Sequence, residues 1–204
     1  MPVNLTNDEY FGTYHLADNP ANYQPATSNN FRFIVYGIDN LLRAGTRDEY
    51  VTGGQEIMDF SVTSVFIPHF QQEDIQIARG NSTIHFAGKP SFQSGQIVIN
   101  DFIHADGKSV LQAWQAQQYN VLTDVVYRVA TTNYKKNCHL IEYTTDNEMI
   151  RYWELKGCWI QSLSEQPMSS TDNGARQVTA SIVFDRAIPH MPDEELVTLG
   201  YLSK

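Results

Sequence analysis

Hydrophobic positions fall on alternate residues along much of the chain, the period of a strand with one face on a core. Arg176–Asp185 is the cleanest run: Val178, Ala180, Ile182 and Phe184 point one way, Gln177, Thr179, Ser181 and Val183 the other. Phe31–Tyr36 puts Phe31, Phe33 and Val35 on one face. Phe60, Val62, Ser64 and Phe66 alternate with Asp59, Ser61, Thr63 and Val65 until Pro68 ends the run. Ile84 and Phe86 begin another, stopped at Ala87-Gly88-Lys89-Pro90, and Gln96–Phe102 follows. Further strands are expected at about Asp124–Ala130, Cys138–Thr144, Met149–Lys156 and Cys158–Leu163. Thr145-Asp146-Asn147 has the composition of a hairpin turn and Ser169–Gly174 that of a polar loop.

One segment breaks the two-residue period. Val110, Leu111 and Trp114 share a helical face, and Ala113, Ala116 and neighbouring glutamines favour helix. Asp106 or Ser109 can cap it. The fold class expected is mainly β, an antiparallel β-barrel or sandwich with one packed α-helix at about 107–119. Three stretches lie outside this pattern: a polar arm at 1–30, an insertion at 37–57 and a tail at 187–204, with a short acidic-start helix expected at Asp193-Glu194-Glu195. The domain proper is 31–186.

Charge narrows the functions open to such a domain. The 204 residues carry 14 Lys and Arg against 23 Asp and Glu, a formal net charge of -9. Nucleic-acid binders need a basic footprint, and Tyr134-Lys135-Lys136 is the densest one present. Charged residues are 18% of the chain and aromatics 12%; this suits a surface covered by partners and equally a β-rich monomer. No run approaches the ~18 apolar residues of a membrane span, and the start, Met1-Pro2-Val3-Asn4-Leu5, does not resemble a signal peptide. Cys138 and Cys158 lack zinc or redox spacing and are expected as buried thiols, with a disulfide left open.

Catalytic patterns fail on inspection. Gly107-Lys108-Ser109 resembles the end of a phosphate loop, but the glycine required five residues earlier is Phe102. His139 and Glu142 fall on opposite faces of a strand, and no histidine pair completes a metal set. Ser94-Gly95 lacks the frame of a nucleophile elbow. Neither enzyme activity nor a cofactor or metal is expected.

In order along the chain, Phe31–Tyr36, Ile84-His85-Phe86-Ala87-Gly88-Lys89, Ile97–Asp101 leading to the Trp114 helix, Trp153-Glu154-Leu155-Lys156-Gly157-Cys158-Trp159 and the closing strand Arg176–Asp185 resemble the tail tube family of contractile-tailed bacteriophages. The Lys-Gly-x-Trp turn is the most specific of these, and Ile160 departs from the proline that often follows it. Gly157 allows a bend where a side chain would clash. Trp153 and Trp159 are large anchors that can lock the sheet to the helix bearing Trp114.

The resemblance implies a structural subunit in stacked hexameric rings, whose strands close one barrel around a lumen in the virion tail, assembled in the host bacterial cytoplasm. Its implied partners are other copies of itself, the tail sheath protein, the tape-measure protein and the baseplate and tail-terminator proteins; DNA passes without specific binding. A polar, net-negative lumen suits that passage, and some of Asp59, Asp101, Glu142, Glu154 and Asp185 are expected to line it. The stretch 64–83 is the first candidate for ring stacking, through Gln71, Gln72, Glu73, Asp74, Ile75 and Ile77, and 37–57 is the second. Alternative readings are a related injection-system tube, a tube-initiator or terminator protein, or a monomeric ligand-binding β-barrel.

Overall fold

The alternating segments fold into antiparallel strands. The computed structural model describes residues 28–39, 41, 52–104, 106–121, 124–126, 134–169 and 174–190. In chain order they form β1 (Phe31–Val35), α1 (Gly54–Ser61), β2 (Val62–Val65), β3 (Phe70–Arg79), β4 (Ser82–Phe92) and β5 (Gly95–Asn100). Next come α2 (Gly107–Ala116), β6 (Tyr119–Asn120), β7 (Val125–Val126), β8 (Lys136–Tyr143), β9 (Met149–Glu165), β10 (Gln177–Val183) and β11 (Arg186–His190). Seven strands make one sheet in the order β1-β8-β9-β10-β5-β2, with β11 beside the first half of β9. The terminal strands β1 and β2 do not pair with each other, so the sheet is open rather than closed into a barrel.

The long strand β9 joins the two halves of this sheet. Its first half pairs with β8 and β11, its second half with β10. The sequence suggests two strands here, split at Gly157; there is one, and Gly157 is a bulge within it. The four residues Leu155–Cys158 stand against the three from Cys138 back to Lys136, and Gly157 has φ of 69°. A Cβ at that position would lie 2.2 Å from Asp185 Oδ2. Glycine thus relieves both the left-handed backbone and the close approach.

Both halves contribute to a single core. Phe33 and Val35 of β1, Leu140 of β8, Leu155 and Ile160 of β9, Ile97 and Ile99 of β5 and Val178, Ala180 and Ile182 of β10 pack with Met58 of α1 and Leu111 and Trp114 of α2. Trp114 is fully buried, and its indole Nε1–H donates to the Tyr134 carbonyl at 2.9 Å. Helix α2 begins at Asp106, whose Oδ1 accepts from the Ser109 amide at 2.8 Å. It ends at Ala116, short of the expected 119. Cys138 and Cys158 are free thiols; burial, with Cys158 alongside, pushes the Cys138 thiol well up.

Several expected boundaries need correction. The run beginning at Asp59 is helix α1 up to Ser61 and strand only from Val62. That strand ends at Val65, ahead of Pro68, and a new strand in a separate sheet starts at Phe70, so 70–79 is a strand and not a connecting loop. Strand β4 continues through Gly88-Lys89-Pro90 to Phe92. The tail begins with β11. Of Asp124–Ala130, Val125–Val126 is a strand and 127–130 lie outside the described residues, as do 1–27, most of the 37–57 insertion and the helix expected at 193–195.

Candidate assembly surface

Among the described residues, the β3–β4 hairpin is the one long element that makes no sheet contact with the body. It forms its own two-stranded sheet, and nearly every residue from Phe70 to Ser91 is exposed. Its register places Ile75 opposite Phe86 and Ile77 opposite Ile84. Because side chains alternate, these four share one face. Asp74, Gln76 and His85 take the other, where Asp74 Oδ2 accepts from Gln76 Nε2 at 2.9 Å and meets His85 Nδ1 at 2.7 Å. The apolar face is naked: Ile75, Ile77 and Phe86 are each about half exposed, at 50%, 52% and 51%.

Two features fix the direction in which the hairpin leaves the body. Phe70 packs against Phe92 with ring centroids 6.1 Å apart, Phe92 against Phe184 at 5.9 Å, and Phe184 stacks on Phe66 at 5.5 Å. Gly95 lies directly under the Phe66 ring, where a Cβ would sit 1.9 Å from Phe66 Cγ. The ring covers the bare glycine and seats the hairpin's root. Farther out, Gly88 passes so near Glu73 that a Cβ would lie 2.8 Å from the Glu73 carbonyl oxygen, beside the irregularity between Gln72 and Asp74. The tip turns at Gly80, with φ of 62°.

An isolated two-stranded hairpin is marginal in water. Burying an apolar side chain contributes about 1.5–3 kcal/mol, so covering the exposed halves of Ile75, Ile77, Ile84 and Phe86 would add roughly 3–5 kcal/mol per hairpin. The stacking candidates Gln71, Gln72, Glu73, Asp74, Ile75 and Ile77 all lie on β3. Their partners on β4, Ile84 and Phe86, complete the apolar face; their spacing of two was visible in sequence, their pairing with Ile77 and Ile75 was not.

A second surface lies on the sheet itself. The outward face of the β9–β10–β5–β2 half carries Ser162 and Ser164 of β9, Gln177, Thr179 and Ser181 of β10, Gln96, Val98 and Asn100 of β5 and Ser64 of β2. Trp159, paired with Val183, lies on this face, opposite the core side of Cys158 and Ile160. No formal charge occurs among these residues. The same face of the other half bears Arg32, Tyr36, His139, Glu154, Lys156 and His190 around a small second cluster in which Ile34, Tyr143 and Met149 pack on buried Ile141 and Tyr152.

The five acids singled out in the sequence are not gathered on one surface, and each has a cation beside it. Asp59, on α1, pairs with Arg32 at 2.6 Å and raises the Arg32 guanidinium above its ordinary pKa. Glu142, on β8, pairs with Arg151 at 2.5 Å. Glu154, on β9, lies 3.3 Å from Lys156 and 3.7 Å from His190. Asp185 follows β10 and pairs with Lys135 at 2.7 Å. Asp101 follows β5 and lies 4.0 Å from Arg176, which also pairs with Glu165; hydrogen bonds from Lys108 and Arg176 hold Glu165 below the usual carboxylate range. Of the anchors, Trp114 is in the core, Trp153 packs against it under Arg151, and Trp159 is on the uncharged face.

Among the described residues no helix is long and apolar enough to cross a membrane, and no group of three His, Cys, Asp or Glu is placed to hold a metal ion.

No protein-family model and no curated protein matches the chain. Solved structures do. A chain of the PVC sheath–tube complex, an extracellular contractile injection system in its extended state, superposes with TM-score 0.55 at 17% identity over 83% of this chain and 94% of that one. The tube-terminating cap of the anti-feeding prophage gives 0.54 at 15% identity over 83% and 93%. The sheath/tube terminator of the PVC particle gives 0.54 at 18% identity over 82% and 97%. The mainly antiparallel fold is therefore a tail-tube-like one, shared over most of this chain with chains of contractile injection particles.

Proposed function

We propose that this chain is a tube-forming structural subunit of a contractile tail or injection particle. The observation that carries the reading is the hairpin. A tube-like fold extends β3–β4 with both strand edges unpaired and one face of Ile75, Ile77, Ile84 and Phe86 exposed. Such an element is completed only by another surface, and a repeating subunit offers one in every neighbouring copy. Head-to-tail use of the hairpin is a heterologous contact and builds an open filament.

In the finer form of this proposal six copies make a ring, rings stack through the hairpins, and the lumen conducts the particle's cargo, DNA in a phage tail. The sheath, tape-measure, baseplate and terminator proteins are then its partners. The uncharged face built from Ser162, Ser164, Thr179, Ser181, Gln96 and Asn100 suits the lumen wall, since hydroxyls and amides hold water and attract neither sign of charge. Asp101 and Asp185, just beyond β5 and β10 at the ends of this face, are proposed to ring its margins; their paired cations and a Debye length of about 8 Å confine any repulsion to that rim.

Electron microscopy of the purified chain tests the reading. Rings or smooth filaments are expected from the wild type, and no filaments from Ile77→Asp with Phe86→Asp. A strictly monomeric wild type at high concentration would overturn it. Likeness to a cap and a terminator supports a second reading, in which the chain ends a tube rather than extends it; single or paired rings that never elongate would select that one.

A further inference from the structure

The outermost strand of the other end of the sheet, β1, is closed by a side chain. The contacts from Asn30, Tyr36, Asn137 and Tyr143 show that even-numbered residues of this segment turn their backbone groups toward β8. The groups of Phe33 and Val35 therefore face outward, where a further strand would add. Gln55 of α1 occupies that place. Its Oε1 accepts from the Val35 amide at 2.9 Å and its Nε2 donates to the Phe33 carbonyl at 3.2 Å. One side-chain amide thus supplies the donor and acceptor that a neighbouring peptide unit would supply.

The amide is held in place from three directions. Gln55 Nε2 also donates to Asp59 Oδ1 at 2.9 Å, one helical turn on. Asp59 accepts two hydrogen bonds from Arg32 of β1, at 3.1 and 2.6 Å. The Gln55 backbone amide donates to Asp39 Oδ1 at 3.1 Å, which fastens the start of α1. Helix α1 has no side-chain cap of its own at Gly53, so Asp39 supplies what the local sequence lacks.

We propose that Gln55 is an edge guard. It fills the β1 backbone pair that would otherwise accept an extended strand of a second copy, and so keeps this edge out of assembly while the β3–β4 hairpin stays open to it. The need follows from β1 itself: Phe31-Arg32-Phe33-Ile34-Val35 is aromatic and β-branched, without glycine or proline, the composition that templates unwanted strand addition. The hairpin carries no comparable guard; its edges run exposed over ten and eleven residues. The closure of β1 rests on local geometry alone, while its effect on which edge assembles rests on the self-assembly proposed above.

The test uses the full chain with Ile77→Asp and Phe86→Asp, which silences the hairpin, with and without Gln55→Ala. Amide hydrogen exchange at Val35 is expected to speed up about tenfold on removal of Gln55, the size of one backbone hydrogen bond. Light scattering is expected to show new association at high concentration, with Val35 protected again in the associated state. Gln55→Glu keeps the acceptor for Val35 and loses the donor to Phe33, and is expected to fall between. An unchanged Val35 exchange rate would overturn the guard. Faster exchange without association would overturn its role in selecting the edge. Both readouts are independent of whether the wild type forms tubes.

Discussion

The edge of β1 and the edges of the β3–β4 hairpin expose the same kind of backbone groups, yet the molecule treats them in opposite ways. At β1 a helix lays the Gln55 amide across Phe33 and Val35, and Asp59 and Arg32 lock it there. At the hairpin no described residue covers either strand, and the apolar face of Ile75, Ile77, Ile84 and Phe86 is left in water. The body spends its hydrogen bonds on closing one border and its glycines on aiming the other. Unprotected strand edges are a hazard in a monomer; one left open beside a closed one indicates where association is meant to occur.

The sharpest way to break this comparison is to charge the hairpin face. Ile77→Asp with Phe86→Asp places two carboxylates among residues that assembly would bury, at a cost of several kcal/mol if unpaired. Filament formation is expected to fall by more than about a hundredfold, since each 1.4 kcal/mol is a factor of ten. Both sites are exposed in the single chain, so the melting temperature of the monomer is expected to stay put. Loss of monomer stability alongside assembly would mean that the hairpin is part of the body after all.

Hydrogen exchange compares the two regions directly. In the monomer, amides of 70–92 are expected to exchange at rates close to those of an unstructured chain, because local opening there exposes almost no new apolar surface. Val35, Ile97, Ile160 and Ala180, in or beside the core, are expected to exchange orders of magnitude more slowly. Assembly should slow the hairpin and leave the core unchanged. A hairpin already protected in the monomer would contradict its description as an unfinished element.

What the sequence disclosed follows the same division. The core strands were legible because burial imposes alternation: Val178, Ala180, Ile182 and Phe184 announce both strand and face, and α2 announces itself through Val110, Leu111, Trp114 and a capping Asp106. The hairpin was not, since neither of its faces is buried in the chain's own core, and Gly88 and Pro90 look like strand breakers when their partners Glu73 and Gln72 are unknown. Helix α1 was hidden for a different reason. Phe60 reads as the start of an alternating strand, but it is a surface residue at 77% exposure, and the helix is identified by its buried Met58 and by Gln55 reaching a strand twenty residues earlier. The candidate acids were visible as acids; their neutralisation by Arg32, Arg151, Lys135 and Arg176 depends on tertiary neighbours that no local pattern encodes.

Gly95→Val tests the joint between the two regions. Its side chain would occupy the space of the Phe66 ring and push it from Phe184. Overpacking of this kind costs roughly 1–3 kcal/mol, so denaturant midpoints of the monomer should fall accordingly. Assembly should weaken as well, because the hairpin leaves the body through this cluster. A variant that loses stability yet assembles normally would show that the aromatic root does not aim the hairpin.

The smallest effect expected is one of pH, confined to the body. His139 accepts or donates a hydrogen bond with the Tyr36 hydroxyl at 3.0 Å and packs against Tyr152, on which His190 stacks; Glu154 faces both histidines. Burial lowers the His139 pKa below its ordinary 6.5, with the His190 charge adding to this and the Glu154 charge opposing it. The unfolded chain therefore binds this proton more readily than the folded one. Stability is fully present above about 6.5 and declines as pH falls below it. Melting temperatures at pH 8 and pH 5.5 should diverge more for the wild type than for His139→Gln, while the exchange of hairpin amides follows only the intrinsic pH dependence in both. Equal divergence in the two proteins would remove His139 from the account.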